Sequence, residues 1–459
     1  MNRPQSVTRP SRSLMMIKLR SLLANLRSSL WFVPALLVTG ALLLAMGLVE
    51  MDSYLTRERL TEQWPRVFGA GAEGSRGLLS AIAGSMITVA GVTFSITVVA
   101  LALAWAQYTS RILANFMRDR ANQAVLGVFV GVFAYCLVVL RTIRGGDEGA
   151  FVPSMAVLVA LLLALVAIGF LIFFIHHIAA SIQAASIIEA TAATTVNAVD
   201  RLFPAEVGEA AVESAGVQPQ EERAALAWAT IPACKTGYIR DIDADALFEI
   251  AREQGIVVRM ERAIGEFVIE NSPLASVAGK EPDDESIRKL NAAYNVGRDR
   301  TVQQDAAYGI RQIVDIALKA LSPGINDTTT AINCIDFLGA ILARLAPRPF
   351  AARDRSDGSQ LRLIARGPTF PGLLAEAFDQ IRQNAEGNVA VLTRLLQVLE
   401  IVATRTTDVH RRAALRQQAD LIAETAKRSV PSAHDRATIQ LAANRVFPVP
   451  DEAKQVDWS

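Results

Sequence analysis

The sequence predicts a mainly α membrane protein, with four transmembrane helices followed by a cytosolic α+β and helical region. Three observations carry that reading. Leu30 to Val49, Gly77 to Ala106, Ala121 to Leu140 and Gly149 to Ile175 contain no charged residue, and about 20 apolar helical residues suffice to cross a hydrocarbon core of ~30 Å. Few such runs follow, so 51% hydrophobic residues and a mean hydropathy of +0.29 average a very apolar first part with an ordinary soluble remainder. Ahead of the first run stand Arg3, Arg9, Arg12, Lys18, Arg20 and Arg27 with no acidic residue, which by the positive-inside rule keeps that end in the cytoplasm.

Four crossings return the carboxy-terminal half to the same side, so both termini are expected in the cytoplasm. The expected organisation is a basic segment over 1–29, a transmembrane domain over 30–176, a helical stalk over 177–203, a small α+β module over 224–280, a helical domain over 281–447 and a tail over 448–459. A basic start before an apolar run also fits a signal peptide or presequence. The run is span-length and no small-residue cleavage site precedes Glu50 and Asp52, which favours a retained helix. A net charge of +1 gives no bulk attraction to nucleic acid. Cys136, Cys234 and Cys334 are widely spaced and odd in number, arguing against a disulfide framework or a zinc site. No metal or cofactor is expected.

The second span would be ~45 Å long at about 1.5 Å per residue, more than the hydrocarbon needs. Ser80, Gly84, Thr88, Gly91 and Ser95 recur along it at helical spacing. Small residues let helix backbones approach, so the stripe is either a packing seam or the lining of a pore. Ionisable residues are missing from the centres of all four spans, which argues against a proton-coupled pump. Gly127 and Gly131 form a G-x-x-x-G in the third span, expected to pack within the chain or between copies. The fourth, nearly all aliphatic and aromatic, is expected to face lipid. His176 and His177 follow it at headgroup level, where a pH-responsive role is one reading and a polar belt the other. From His176 to Phe203 helix continues without Pro or Gly, and Ile178, Ile182, Ala185, Glu189, Ala192, Val196 and Val199 give it a weak coiled-coil seam.

Gly69 to Gly74 spells G-x-G-x-x-G, but it leads into a membrane helix and lacks the preceding strand of a dinucleotide site, so it reads as a linker. The nucleotide-hydrolase, serine-hydrolase and zinc-protease motifs are absent, and no nucleophile, base and metal constellation suggests an enzyme. Beyond a polar linker, Gly237 to Ile239, Ile256 to Met260 and Gly265 to Ile269 read as strands around a helix from Ala244 to Glu253. Arg298, Arg300, Gln304, Asp305, Tyr308, Gln312 and Asp315 then crowd one helix, which stops at Leu321 to Gly324. Asn326 or Asp327 caps the next helix, which carries Asp336. The cluster is either a corner held by its own caps or a site for a ligand or partner. Pro347 to Pro371 reads as a loop. Helices are expected at Gly372 to Gln383, Asn388 to Arg405 and Val409 to Lys427, with Arg411, Arg412 and Arg416 on a solvated face.

The run Gln304-Asp305-Ala306-Ala307-Tyr308-Gly309, with Ala320 through Ala331, resembles the signature of the DUF2254 family of bacterial membrane proteins. Phe94 to Thr97, Gln107 to Arg111 and Phe174 to His177 resemble it also. Ser110 and Thr328 stand where that family would have Pro, which suggests that neither ring is indispensable. The resemblance implies a bacterial plasma (inner) membrane location and carries no activity. The leading expectation is an oligomeric, channel-like protein controlled by its cytosolic part. The alternative is a non-conducting sensor or scaffold that recruits a cytosolic partner. The lipid bilayer and further copies of the chain are the expected partners.

Overall fold

A computed structural model describes residues 31–54, 71–107, 119–145, 151–181, 183–204, 227–350, 352–358 and 360–447. The basic amino-terminal segment, most of the first two loops, the polar linker and the tail lie outside these residues. The chain divides into two compact units, 1–183 and 184–459.

The first unit is a bundle of α1 (Phe32–Tyr54), α2 (Ala72–Gln107), α3 (Arg120–Thr142) and α4 (Ser154–Ser181). Five helices among the described residues are long and apolar enough to cross a membrane, these four and Thr328–Leu345 of the second unit. The count of four expected from sequence is therefore one short by length and composition.

Helix α3 is the central post. A Cβ added at Gly127 would lie 2.7 Å from Leu37 Cδ1 and 2.9 Å from the Pro34 Cα, and one at Gly131 would lie 3.5 Å from Ala41 Cβ. The G-x-x-x-G pair thus faces α1 within the chain, and its missing side chains let the backbones approach. Helix α4 turns a face of Ala156, Ala160, Ala164 and Ala167 inward while Leu161, Leu162, Leu165 and Ile172 stay exposed. Only part of that helix therefore meets the surroundings.

The ends of the bundle are tied by polar side chains. Asp52 at the end of α1 accepts the amides of Met155 and Ala156 at 3.4 and 3.1 Å, filling the first turn of α4. Tyr135 donates to the Ala156 carbonyl at 2.8 Å, and Arg76 donates to that of Ile143 at 2.8 Å. At the opposite end Asp119 caps α3 through the Ala121 amide, and its second oxygen lies 2.5 Å from His177 Nε2. The His177 ring stacks on Phe173. Its Nε2 therefore has a carboxylate partner within the bundle.

The second unit begins with α5 (Ala184–Leu202), and the helix expected to run unbroken from His176 is broken by a bend at Gln183. Its buried face is Ile188, Thr191, Ala192, Thr195, Ala198 and Val199, while Ala185 and Glu189 of the expected seam are exposed. That face packs on two helices introduced next, α8 (Ala306–Ala320) and α9 (Thr328–Leu345). Thr195 sits where a Cβ on Gly309 would be.

Strands β1 (Trp228–Pro232), β2 (Gly237–Ile242), β3 (Val257–Met260), β4 (Phe267–Val268), β5 (Pro273–Ala278) and β6 (Tyr294–Gly297) alternate with α6 (Ala244–Gln254) and α7 (Asp284–Ala292). They form a sheet β4-β2-β6 and a second one ordered β1-β5-β3-β8-β7. Its last two strands, β7 (Asp354–Asp357) and β8 (Gln360–Ile364), are a hairpin inside the stretch expected to be loop. Gly358 at φ +59° makes the turn, and β8 runs parallel to β3, Val258 opposite Leu363. The sheet therefore draws on residues some hundred positions apart. Helices α10 (Phe370–Asn384), α11 (Val389–Ala403), α12 (Val409–Ser429) and α13 (Ala433–Val446) complete the unit. The first three match expectation within a few residues, and α13 was not anticipated.

Gly127→Leu should force α1 and α3 apart and cost about 1–3 kcal/mol by overpacking, whereas Gly131→Ala should stay within ~0.5 kcal/mol of the parent. Thermal unfolding in detergent, followed for both variants, checks the difference.

Candidate functional site

The polar run around Asp305 begins at a joint of three elements. Asp305 is 6% exposed and caps α8 by accepting the Tyr308 amide at 3.0 Å on one oxygen. The other oxygen accepts Arg300 Nε and Nη2 at 2.9 and 2.7 Å. The guanidinium lies 4.9 Å from the centre of the Tyr308 ring, a cation–π contact that adds to the charged hydrogen bonds. Gly265, at φ +86°, brings the loop before β4 onto the pair, and a Cβ there would lie 2.7 Å from Arg300 Nη2. Tyr308 packs with Val302 against Ala198 and Leu202 of α5, and Arg201 donates to the Gln303 carbonyl. Gln304 is half-buried and Arg298 exposed.

The second half of the expected cluster lies elsewhere. Asp327 caps α9, accepting the Thr330 amide at 3.0 Å and the Thr330 hydroxyl at 2.6 Å, and these bonds hold its carboxyl below the usual carboxylate range. Asn326 takes φ +50°, a left-handed turn that Asn tolerates. Asp336 pairs with Arg394 of α11 at 2.5 Å. The fifteen residues of α8 separate Asp305 from this corner, a distance of ~22 Å at about 1.5 Å per residue. The two halves therefore do not form one site.

Thr328, at the family's proline position, is the first residue of α9, where Pro is well tolerated because that amide has no helical partner. Its hydroxyl accepts Asn388 Nδ2 at 3.0 Å, and Asn388 in turn caps α11. Ser110 lies outside the described residues.

Sequence reasoning missed Arg348. It is 7% exposed and donates to the Val199 and Phe203 carbonyls at the end of α5 and to Asp200. With Arg344 it holds the Asp200 carboxyl below the ordinary range. Arg411, Arg412 and Arg416 are not a merely solvated face. Arg411 lies 5.1 Å from the Phe350 ring and donates to the Ala346 carbonyl, while Arg412 and Arg416 each lie 5.0 Å from Phe447. Their partners come from distant sequence, which a helical projection does not display.

In the membrane unit, Ser80, Gly84, Thr88, Gly91 and Ser95 are all exposed, and a Cβ on Gly84 or Gly91 would meet nothing within 4 Å. The face α2 turns inward is instead Ser75, Leu79, Ile82, Ala83, Met86, Ala90, Thr93 and Ala100. Among the described residues, no part of the chain packs on Gly84 or Gly91 of the stripe. Among the described residues no group of three or more His, Cys, Asp or Glu side chains could hold a metal ion.

The description "Predicted membrane protein (DUF2254)" matches residues 27–401, which include the Asp305 joint and the Asp327 corner. The chain belongs to the DUF2254 family. An uncharacterised protein of Mycobacterium bovis is 33% identical over 449 residues, covering 95% of this chain and 83% of its own length. Uncharacterised proteins from two strains of Mycobacterium tuberculosis match with the same identity and coverage. No solved structure matches the chain.

Asp305→Asn should cost about 3 kcal/mol, because it leaves the half-buried Arg300 without its charge. Asp327→Asn should be nearly neutral and Asp327→Ala should cost ~1 kcal/mol, since Asn caps a helix about as well as Asp. The depressed Asp327 pKa makes its ionic contribution complete above about pH 5 and lost as pH falls below ~4. Denaturant unfolding of the parent and the Asn variant from pH 3 to 7 checks this, the parent alone showing that increment.

Proposed function

We propose that this is a multi-pass protein of the bacterial inner membrane in which α1 to α4 cross the bilayer and both termini lie in the cytoplasm. On this reading α9 does not cross. It carries the Asp336–Arg394 pair and buries Ala331, Cys334, Ile335, Leu338 and Leu342 within the second unit. We further propose that copies associate around the stripe on α2 to line a passage for ions or small solutes, with the second unit controlling it and no catalysis involved.

The outward stripe carries this reading. A helix facing only lipid gains most from large apolar side chains, as α4 displays with Leu161, Leu162 and Leu165. Along α2 two glycines and three hydroxyls form one exposed line, flanked by exposed Ile87, Val92, Phe94 and Val98. Small residues at such a face suit the close approach of another helix or of hydrated solute.

A second reading rests on Thr88, whose hydroxyl donates to the Gly84 carbonyl of its own helix at 2.8 Å. Satisfied internally, it has less need of water, which favours a close-packed, non-conducting assembly acting as a scaffold for a cytosolic partner.

Two measurements separate these readings. Purified protein in liposomes should pass ions in the first, and Ser95→Asp should change selectivity while assembly persists. In the second, wild-type protein is silent and the same variant dissociates it. A monomeric mass together with no disulfide cross-linking of Gly84→Cys would overturn both. For topology, a reporter fused after Ser459 should be active only in its cytoplasmic form and one near Gly71 only in its exported form.

A further inference from the structure

The inward face of the membrane bundle carries polar groups that the stripe does not explain. Thr93 is 2% exposed, and its hydroxyl has no hydrogen-bond partner. Both amide atoms of Asn122 are likewise enclosed and unpartnered. The protein itself, and not lipid, covers these atoms.

Helix register sets the two residues at about the same level of the bundle. Arg76 of α2 bonds the Ile143 carbonyl at the end of α3, and a Cβ on Gly145 would lie 3.8 Å from that of Ala72. Counting down α2 and back along α3 from either tie sets Asn122 between the levels of Thr93 and Thr97, within about one 5.4 Å turn. Orientation agrees. Gly127 and Gly131 of α3 face α1, and residues two positions away point ~200° round the helix. Val125, Phe129, Val132, Cys136 and Val139 therefore form the opposite, buried face toward α2, and Asn122 continues that series by three. On α2, Thr93 follows Met86 and Ala90 on the buried side, two residues from both Gly91 and Ser95 and so turned away from the stripe. Thr97 donates to the Thr93 carbonyl, and Asp119, with its His177 partner, lies one turn from Asn122 at the bundle's end.

We infer that this end of the bundle holds a hydrated recess in which Thr93 and Asn122 bind water. A carboxamide presents donors at Nδ2 and acceptors at Oδ1, and a hydroxyl presents both. Acyl chains match neither, and a bare cation would satisfy the oxygens while leaving Nδ2 unpaired. Water matches all three atoms, and two to four polar partners are what a buried water requires. The recess lies on the side of α2 away from the stripe, so it stands or falls independently of how copies associate.

The test uses full-length protein in lipid nanodiscs, where both membrane faces are open to reagent. In a Cys234→Ser background, which removes the exposed thiol, Thr93→Cys and Asn122→Cys are treated with a charged methanethiosulfonate. Buried Cys136, farther along the same face of α3, is the internal dry control. Because the attacking thiolate forms only where water supports its charge, both variants should react at least ~10-fold faster than Cys136. Reaction at neither position, or at only one, overturns the inference. Water-to-protein magnetisation transfer in the wild type decides the matter if a variant misfolds. Transfer should reach the Asn122 side-chain amide, and its failure while exposed Arg120 responds overturns the recess.

Discussion

A bilayer offers no hydrogen bonds, and the first unit is organised by that lack. Every helix end in or near hydrocarbon must be satisfied by the chain itself. Asp52 accepts two amides in the first turn of α4, Asp119 accepts the Ala121 amide of α3, Arg76 takes the Ile143 carbonyl just past α3, and Tyr135 reaches across to Ala156. These bonds work only if α3 stands close to its neighbours. Gly127 and Gly131 supply that closeness on the α1 side, and the file from Val125 to Val139 on the other side is buried within the bundle.

The second unit solves a different problem, that of joining a two-sheet module to a helical layer. Asp305 sits where these meet. One carboxylate caps α8, fixes Arg300 and admits the loop at Gly265, while Tyr308 beneath it packs on α5. Arg348 does the matching work at the end of α5, taking two carbonyls and Asp200. Both groups are nearly inaccessible, and their bonds are spent on joining elements of the unit. Beyond α8, Asp327, Thr328 and Asn388 cap α9 and α11 in sequence.

Much of this was legible locally. The α8 stop at Leu321 to Gly324, the Asp327 cap and the strand, cap and helix after Gly237 follow from turn and capping chemistry acting within a few residues. The β7–β8 hairpin carried a signal too, alternating Leu361 and Leu363 after a glycine turn, but abundant Arg, Pro and Asp masked it. The direction of the α2 stripe was not legible, because a periodic face has no sign until its neighbour is known. The arginines of α12 failed to declare themselves for the same reason, since Phe350 and Phe447 lie far away in the chain.

The sequence by itself determined the apolar helices, their length and the family, because burial in hydrocarbon and capping depend on composition and near neighbours. Only the tertiary structure decided which face of each helix is covered. It turned Ser80, Gly84, Thr88, Gly91 and Ser95 outward and Thr93 and Asn122 inward, and it set Arg348 on the end of α5. Those outcomes rest on contacts between distant residues, and side-chain periodicity along a single helix does not encode them.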